Sequence, residues 1–190
     1  NYQKDNLINN KISKITKIRK INPTIKINNK LKQVVLEGGA IDVNGKGSIL
    51  LTKECLLSKI QERNPGITKY ILENVLKKYL NVTNFIWLNK GIEGDDTHGH
   101  IDDIARFVAE NTIMTAIENN KKDINHLNLK ENYKILNQAK NFKGKKFRII
   151  KIPMPEPIYI ENIRVPASYL NFYIANEIIL LPVFKDKNDK

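Results

Sequence analysis

Residues 100–117 read HIDDIARFVAENTIMTAI, two β-rich runs about the short polar turn Glu110-Asn111, the pattern of an antiparallel hairpin. What surrounds this stretch decides the fold. Downstream, NHLNLKENYKILNQAKN supplies a helix with Leu127, Tyr133, Leu136 and Ala139 available for its buried side, and KFRIIKIP supplies a closing strand. Upstream, the same order appears. KQVVLEGGAIDVNGKGSILLT reads as two strands around Asn44-Gly45, residues that tolerate positive φ. Asn64-Pro65 reads as a cap and first-turn pair, and Ile67, Tyr70, Ile71, Val75, Leu76 and Tyr79 recur at helical spacing up to Leu80. NFIWLN closes that round as a strand. A third round opens with SYLNFYIANEIILLPVF, two strands about Ala175-Asn176. The unit strand, strand, helix, strand is thus present twice whole and once in part.

A ββαβ unit of this size cannot cover its own apolar face, so several must pack around a common axis. Equivalent positions of the units then converge near that axis. The entrance to the first strand pair carries Glu37, Gly38 and Gly39, the second carries His100 and Asp102, and the third carries Tyr169 and Asn171. Polar residues at matching places predict one site assembled from three modules. The fold class expected is α/β.

Composition bounds the rest. The chain has 190 residues, 41% apolar and 27% charged, enough for a core of ordinary size. It contains no apolar run of membrane-spanning length and no secretory signal pattern, which favours a soluble intracellular protein. The one cysteine, Cys55, excludes an internal disulfide framework and any multi-thiolate metal site. The chain opens at Asn1 without a methionine and stops in the polar run KDKNDK, so truncation at both ends is expected. A net charge of +12 invites a nucleic-acid reading, strongest in KISKITKIRKINPTIKINNKLK at residues 11–32. No aromatic residues interleave those lysines as a stacking platform would need, and a solvated lysine-rich edge is the plainer reading.

Against that basic background, WLNKGIEGDDTHGHIDDIARFV at residues 87–108 gathers Glu93, Asp95, Asp96, His98, His100, Asp102 and Asp103. His100 and Asp102 are two apart, so in an extended segment they face the same way. Together they could serve as acid or base and as a clamp for a cation. Gly91, Gly94 and Gly99 let the loop bend. His98, His100, Asp95 and Asp102 offer metal-ligand atoms, but their spacing matches no strong zinc or calcium pattern, and neither metal nor cofactor is expected.

GDDTHGHIDDIARFV, with LEGGAID upstream and PASYLNFYIAN downstream, resembles the agmatine deiminases and the related bacterial peptidylarginine deiminases of the guanidino-group-modifying superfamily. The likeness covers residues 31–190 as the central part of one catalytic domain, with residues 1–30 a weakly matched lysine-rich segment. It implies the pentein fold, a pseudosymmetric α/β propeller of five ββαβ modules, of which this chain holds a subset. It implies hydrolysis of the guanidinium of agmatine to N-carbamoylputrescine and ammonia, toward putrescine, in the cytoplasm. Carried over, His100 is the general acid and base, Asp102 grips the guanidinium and Glu37 holds and orients His100. Asp96 shapes the pocket or meets the far amine, and Asn171 lines it. The partner implied is a small-molecule guanidine, with no membrane and no nucleic acid, and a homo-oligomer of the full-length protein is compatible with it.

Two features of that family are missing. Its nucleophilic cysteine, which forms a covalent amidino intermediate, belongs to a Gly-rich segment near the C-terminus, and a further guanidinium-binding aspartate belongs to an N-terminal stretch. The chain taken alone is therefore expected to be inactive. Cys55, placed by the sequence just past the second strand and away from Glu37, reads as a small, partly buried residue. The alternatives are a peptidylarginine deiminase acting on protein arginine, or a non-catalytic remnant serving as a basic binding module.

Overall fold

The computed structural model describes residues 4 and 7–189 and divides the chain into two units, Asn1–Val34 and Val35–Lys190. Unit one carries α1 (Ile8–Thr16) and the antiparallel hairpin β1 (Thr24–Ile27) and β2 (Lys30–Gln33). Asn28 and Asn29 turn this hairpin with φ of 49° and 63°, the doubly left-handed conformation that two-residue hairpins favour. The lysine-rich run thus holds regular elements where the sequence suggests only a solvated edge.

In unit two, β3 (Ile41–Val43) pairs antiparallel with β4 (Ser48–Thr52), and β4 pairs parallel with β5 (Asn84–Leu88). The parallel crossover passes through α2 (Lys53–Leu57) and α3 (Lys69–Leu80). The order repeats in β6 (Ala105–Ala109), β7 (Thr112–Ile117), α4 (Asn125–Gln138) and β8 (Arg148–Pro153), again antiparallel then parallel. β9 (Ile158–Ile160) and β10 (Ile163–Val165) form an additional hairpin absent from the sequence reading. β11 (Tyr173–Ala175) and β12 (Ile178–Leu180) open the third round. Central β4, SILLT, is buried at every position because it has strands on both sides. One apolar core joins the rounds, with Leu50 and Leu88 from the first, Ile104 and Ile113 from the second, and Leu170 and Phe172 from the third. Each such side chain contributes roughly 1.5–3 kcal/mol by leaving water. Among the described residues no helix is long and apolar enough to cross a membrane.

Local details correct the sequence reading. α3 starts at Lys69, capped by the Thr68 hydroxyl, which accepts from the Ile71 amide. Asn64 is no cap. It is buried, and its side-chain amide accepts from the Val35 N–H and donates to the Val35 carbonyl, both at 2.8 Å. The buried stripe of α3 is Leu72 and Leu76, with Tyr70 exposed; that of α4 is Leu129, Asn132 and Leu136, with Leu127 exposed. Periodicity located the helices but shifted their faces by one or two residues, because a helix flanked by several apolar candidates is oriented by the sheet it meets.

Arg106 ties three rounds together. Its Nη1 donates to the carbonyls of Leu170 and Phe172 at 3.3 and 3.0 Å, its guanidinium lies 4.8 Å from the Phe172 ring centroid, and its Nε sits 3.5 Å from Asp42 Oδ1. Asp42 also accepts the Phe107 amide at 2.5 Å. Arg106→Leu is expected to lower the unfolding free energy by about 3 kcal/mol, because it strands a largely buried carboxylate and two carbonyls. Urea denaturation measures this, and a loss below about 1 kcal/mol would mean that apolar packing alone joins the rounds.

Candidate active site

The acid-rich loop is held from three sides before it reaches His100. From α4, the Asn132 amide accepts the Asn89 N–H and donates to the Lys90 carbonyl, while Asn125 Oδ1 accepts the Glu93 N–H. From α2, Glu54 accepts the Gly91 N–H at 2.7 Å. From the end of β4, the Thr52 hydroxyl donates to the Gly99 carbonyl at 2.5 Å and accepts the Cys55 amide. Gly99 has φ of 85°, and a Cβ there would come within 2.8 Å of Glu54 Oε2, so the position excludes larger residues twice over.

Asp95 serves the backbone of this loop. Its carboxylate accepts the amides of Thr97, Gly99 and His100 at 2.8, 2.8 and 3.0 Å, as well as the Thr97 hydroxyl. Burial pushes its carboxyl upward, but these donors outweigh burial and leave it below the ordinary value. His98, at φ of 58°, turns its Nδ1 to the Asp96 carbonyl.

His100 and Asp102 do not lie in a strand, as their spacing suggested. His100 precedes a 3-10 turn, Ile101–Asp103, that leads into β6, and Glu37 precedes the equivalent turn, Gly38–Ala40, that leads into β3. The two turns pack together, and the contact point is Gly39. A Cβ on Gly39 would overlap His100 Nδ1 and stand 2.7 Å from Asp102 Oδ2. Both side chains therefore converge after all, through a tight turn rather than a pleat.

His100 Nε2 lies 3.3 Å from Glu37 Oε2. Arg63, which the sequence reading passed over, donates from Nε to that oxygen at 3.0 Å and from Nη2 to Oε1 at 3.4 Å. Burial raises the Glu37 carboxyl, but hydrogen bonds from Arg63 and His100, with their charges, bring it below the usual glutamate value. Asp102 Oδ1 is buried with no hydrogen-bond partner, and burial raises that carboxyl against the charges of His100 and Arg106. Asp103 is buried as well and is pushed up to about 6, chiefly by loss of water, with the Asn171 amide at 3.1 Å opposing the shift.

A pocket of about 370 Å³ is walled on one side by Asp95, Asp96, Thr97, His100, Asp102 and Asp103 and on the other by Pro166, Ser168, Asn171, Pro182 and Phe184. Asp96 and Asn171 are among the residues that line it. Glu37 does not line it and stands on the far side of His100. Tyr169 turns away, donating to Asp189 at 2.7 Å and facing a separate apolar cavity of about 510 Å³. The apolar cavity is the larger, but the acid pocket is the one that His100 and Asp102 line.

Cys55 corrects another expectation. It is 1% exposed, fully buried rather than partly, and its Sγ lies 3.9 Å from Glu37 Oε2 beside the site, not away from it. The chain bends back through α2, which linear spacing does not reveal. Burial first, then Glu37 and Asp95 against the charge of Arg63, push the thiol up to about 12, which favours its protonated form. Iodoacetamide at pH 8 is expected to leave Cys55 unmodified in the folded protein and to alkylate it in urea, as read by mass spectrometry; labelling of the native protein would contradict this burial.

Glu37, Cys55 and His100 place ligand atoms within 4.8 Å of one another, the one such group among the described residues. It differs from the set considered in the sequence, since His98 and Asp95 are engaged with the loop backbone. Arg63 donates to the Glu37 oxygen that also faces His100 and Cys55, so the groups form a hydrogen-bonded cluster.

Comparison with known proteins bears on the family and the fold. A model of the Porphyromonas-type peptidyl-arginine deiminase family matches residues 1–190, including the lysine-rich beginning. The agmatine deiminase of Medicago truncatula is 35% identical over 202 residues, 96% of this chain and 51% of that protein. A cysteine-to-serine form of C. jejuni agmatine deiminase with substrate bound superposes with a TM-score of 0.81 at 35% identity, over 97% of this chain and 51% of that one. The agmatine deiminase of Enterococcus faecalis gives a TM-score of 0.82 at 29% identity, over 97% and 53%. The chain spans about half the length of the relatives it matches. Two ββαβ rounds, the paired turns at Gly39 and the acid pocket thus sit in a chain that belongs to the Porphyromonas-type peptidyl-arginine deiminase family.

Proposed function

We propose that these modules form part of a hydrolase that converts the guanidinium of agmatine to the urea of N-carbamoylputrescine, releasing ammonia. The observation that carries this reading is Asp102 Oδ1, buried without a partner in an acid-walled pocket beside His100. A buried carboxylate oxygen lacking a donor is costly unless a ligand supplies one, and a guanidinium supplies planar N–H forks suited to carboxylates. The net charge of +12 repels such a cation at long range, and the clustered carboxylates overrule it locally, where water screens less.

In this reading a thiolate from outside the described modules attacks the guanidinium carbon. His100 protonates the departing ammonia, then takes a proton from the water that attacks the amidino-cysteine, and the C–S bond breaks to release the urea. Glu37 keeps the imidazole oriented. Asp102 grips the guanidinium, Asp96 meets the far amine at the exposed rim, and Asn171 lines the opposite wall. The remaining modules would complete the propeller.

The family description favours a second reading, in which the guanidinium belongs to an arginine within a polypeptide. Offering agmatine and an arginine-containing peptide separately to the complete protein decides between them. Ammonia and ureido product from agmatine alone support the first reading; turnover of the peptide alone supports the second; turnover of neither overturns both.

A further inference from the structure

Arg63 is built into the site by its neighbour. Asn64 locks onto the Val35 backbone through two hydrogen bonds of 2.8 Å, and this anchors the QERNPG segment alongside the residues leading to Glu37. Arg63 then extends a side chain that is only 10% exposed. Its Nε and Nη2 reach the two Glu37 oxygens, Nη2 also reaches the Thr97 carbonyl, and Nη1 lies 3.4 Å from both the Cys55 and Gln61 carbonyls. A guanidinium has five N–H donors, and here five acceptors surround it. An arginine so fully engaged is rigid, and so is whatever it holds.

Glu37 is already engaged by Arg63 and His100. Its Oε2 faces Arg63 Nε, His100 Nε2 and Cys55 Sγ, its Oε1 faces Arg63 Nη2, and it lies outside the pocket wall. We infer that Arg63 is a positioning residue for His100. It commits Glu37 to the imidazole and, through Thr97, fixes the loop that delivers that imidazole. This rests on the reading of His100 as the acid and base. Glu37 consequently orients His100 without touching the guanidinium, which is left to Asp102.

Arg63→Lys keeps the charge and loses the fork; Arg63→Gln loses both. In the complete protein with agmatine, Arg63→Lys is expected to lower kcat about 10- to 100-fold, with KM changed less than about 3-fold, as for a misplaced catalytic group. Its effect should not add to that of Glu37→Gln, since both act through one contact. A purely architectural role would instead move Tm and leave kcat of the folded variant unchanged.

A second readout needs no turnover. The Glu37 carboxyl carbon, followed by NMR against pH in substrate-free protein, should titrate below the ordinary glutamate value in the native protein and move upward in Arg63→Gln. Removing donors to the carboxylate favours its protonated form. Should Arg63→Gln not fold, the same titration in Arg63→Lys, where a smaller upward shift is expected, takes its place. An unmoved Glu37 midpoint, or an undiminished kcat in folded Arg63→Lys beside an active native enzyme, overturns the inference while the functional reading stands. If the native protein turns over no guanidine, the functional reading falls and the titration still decides whether Arg63 holds Glu37.

Discussion

His100→Ala in the complete protein is expected to lower turnover of the guanidine substrate by about 10²–10⁴-fold while substrate still binds. The effect is large because in the proposed mechanism one side chain performs two proton transfers, one to the leaving ammonia and one from the attacking water. Three of its neighbours are otherwise committed in that mechanism. Asp102 would be engaged with the cation, Asp95 spends its oxygens on three backbone amides, and Cys55 is a buried thiol. Binding should survive because the carboxylates proposed to attract the guanidinium remain. Isothermal titration with agmatine would show retained affinity beside lost turnover. Undiminished turnover would remove His100 from the mechanism, and lost binding would shift its role to recognition.

A single methyl group at Gly39 is expected to be nearly as damaging. Gly39→Ala would drive a Cβ into His100 Nδ1 and within 2.7 Å of Asp102 Oδ2, closer than real atoms approach. One side chain or both must move, and a displacement near 1 Å of a catalytic group costs about 10²-fold in rate. Displacing Asp102, which would grip the guanidinium in the proposed reading, should make KM rise as kcat falls. The fold should persist, because Gly39 does not have the positive φ that forbids a side chain. Circular dichroism with steady-state kinetics separates the outcomes. Native spectra with lost activity support the packing of the two turns at the site; native spectra with full activity would mean the turns can spread apart at little cost.

The repeated ββαβ order could be read directly from the chain, because alternation in IARFVA and TIMTAI and the polar turn between them are local properties. So could the clustering of Asp95, Asp96, His100 and Asp102, and the third entrance at Asn171. The additional hairpin β9–β10 escaped because its three-residue strands, turned by Glu161 and Asn162, are too short to show a period. Asn64 looked like a cap because Asn-Pro favours one, whereas its actual partner, Val35, lies 29 residues away.

The amino-acid order by itself determined which elements form and which chemical groups the chain carries, since hydrogen-bonding periods and side-chain types are set within a few residues. Only the tertiary structure decided what those groups do to one another. Packing of the Gly38–Ala40 turn on the Ile101–Asp103 turn brought Glu37 within 3.3 Å of His100 from 63 residues away, and the return of the chain after α2 brought Arg63 and Cys55 to the same carboxylate. Coulomb attraction, desolvation and hydrogen bonding act over a few ångströms of space regardless of separation along the chain, so they appear only once the fold has closed those distances.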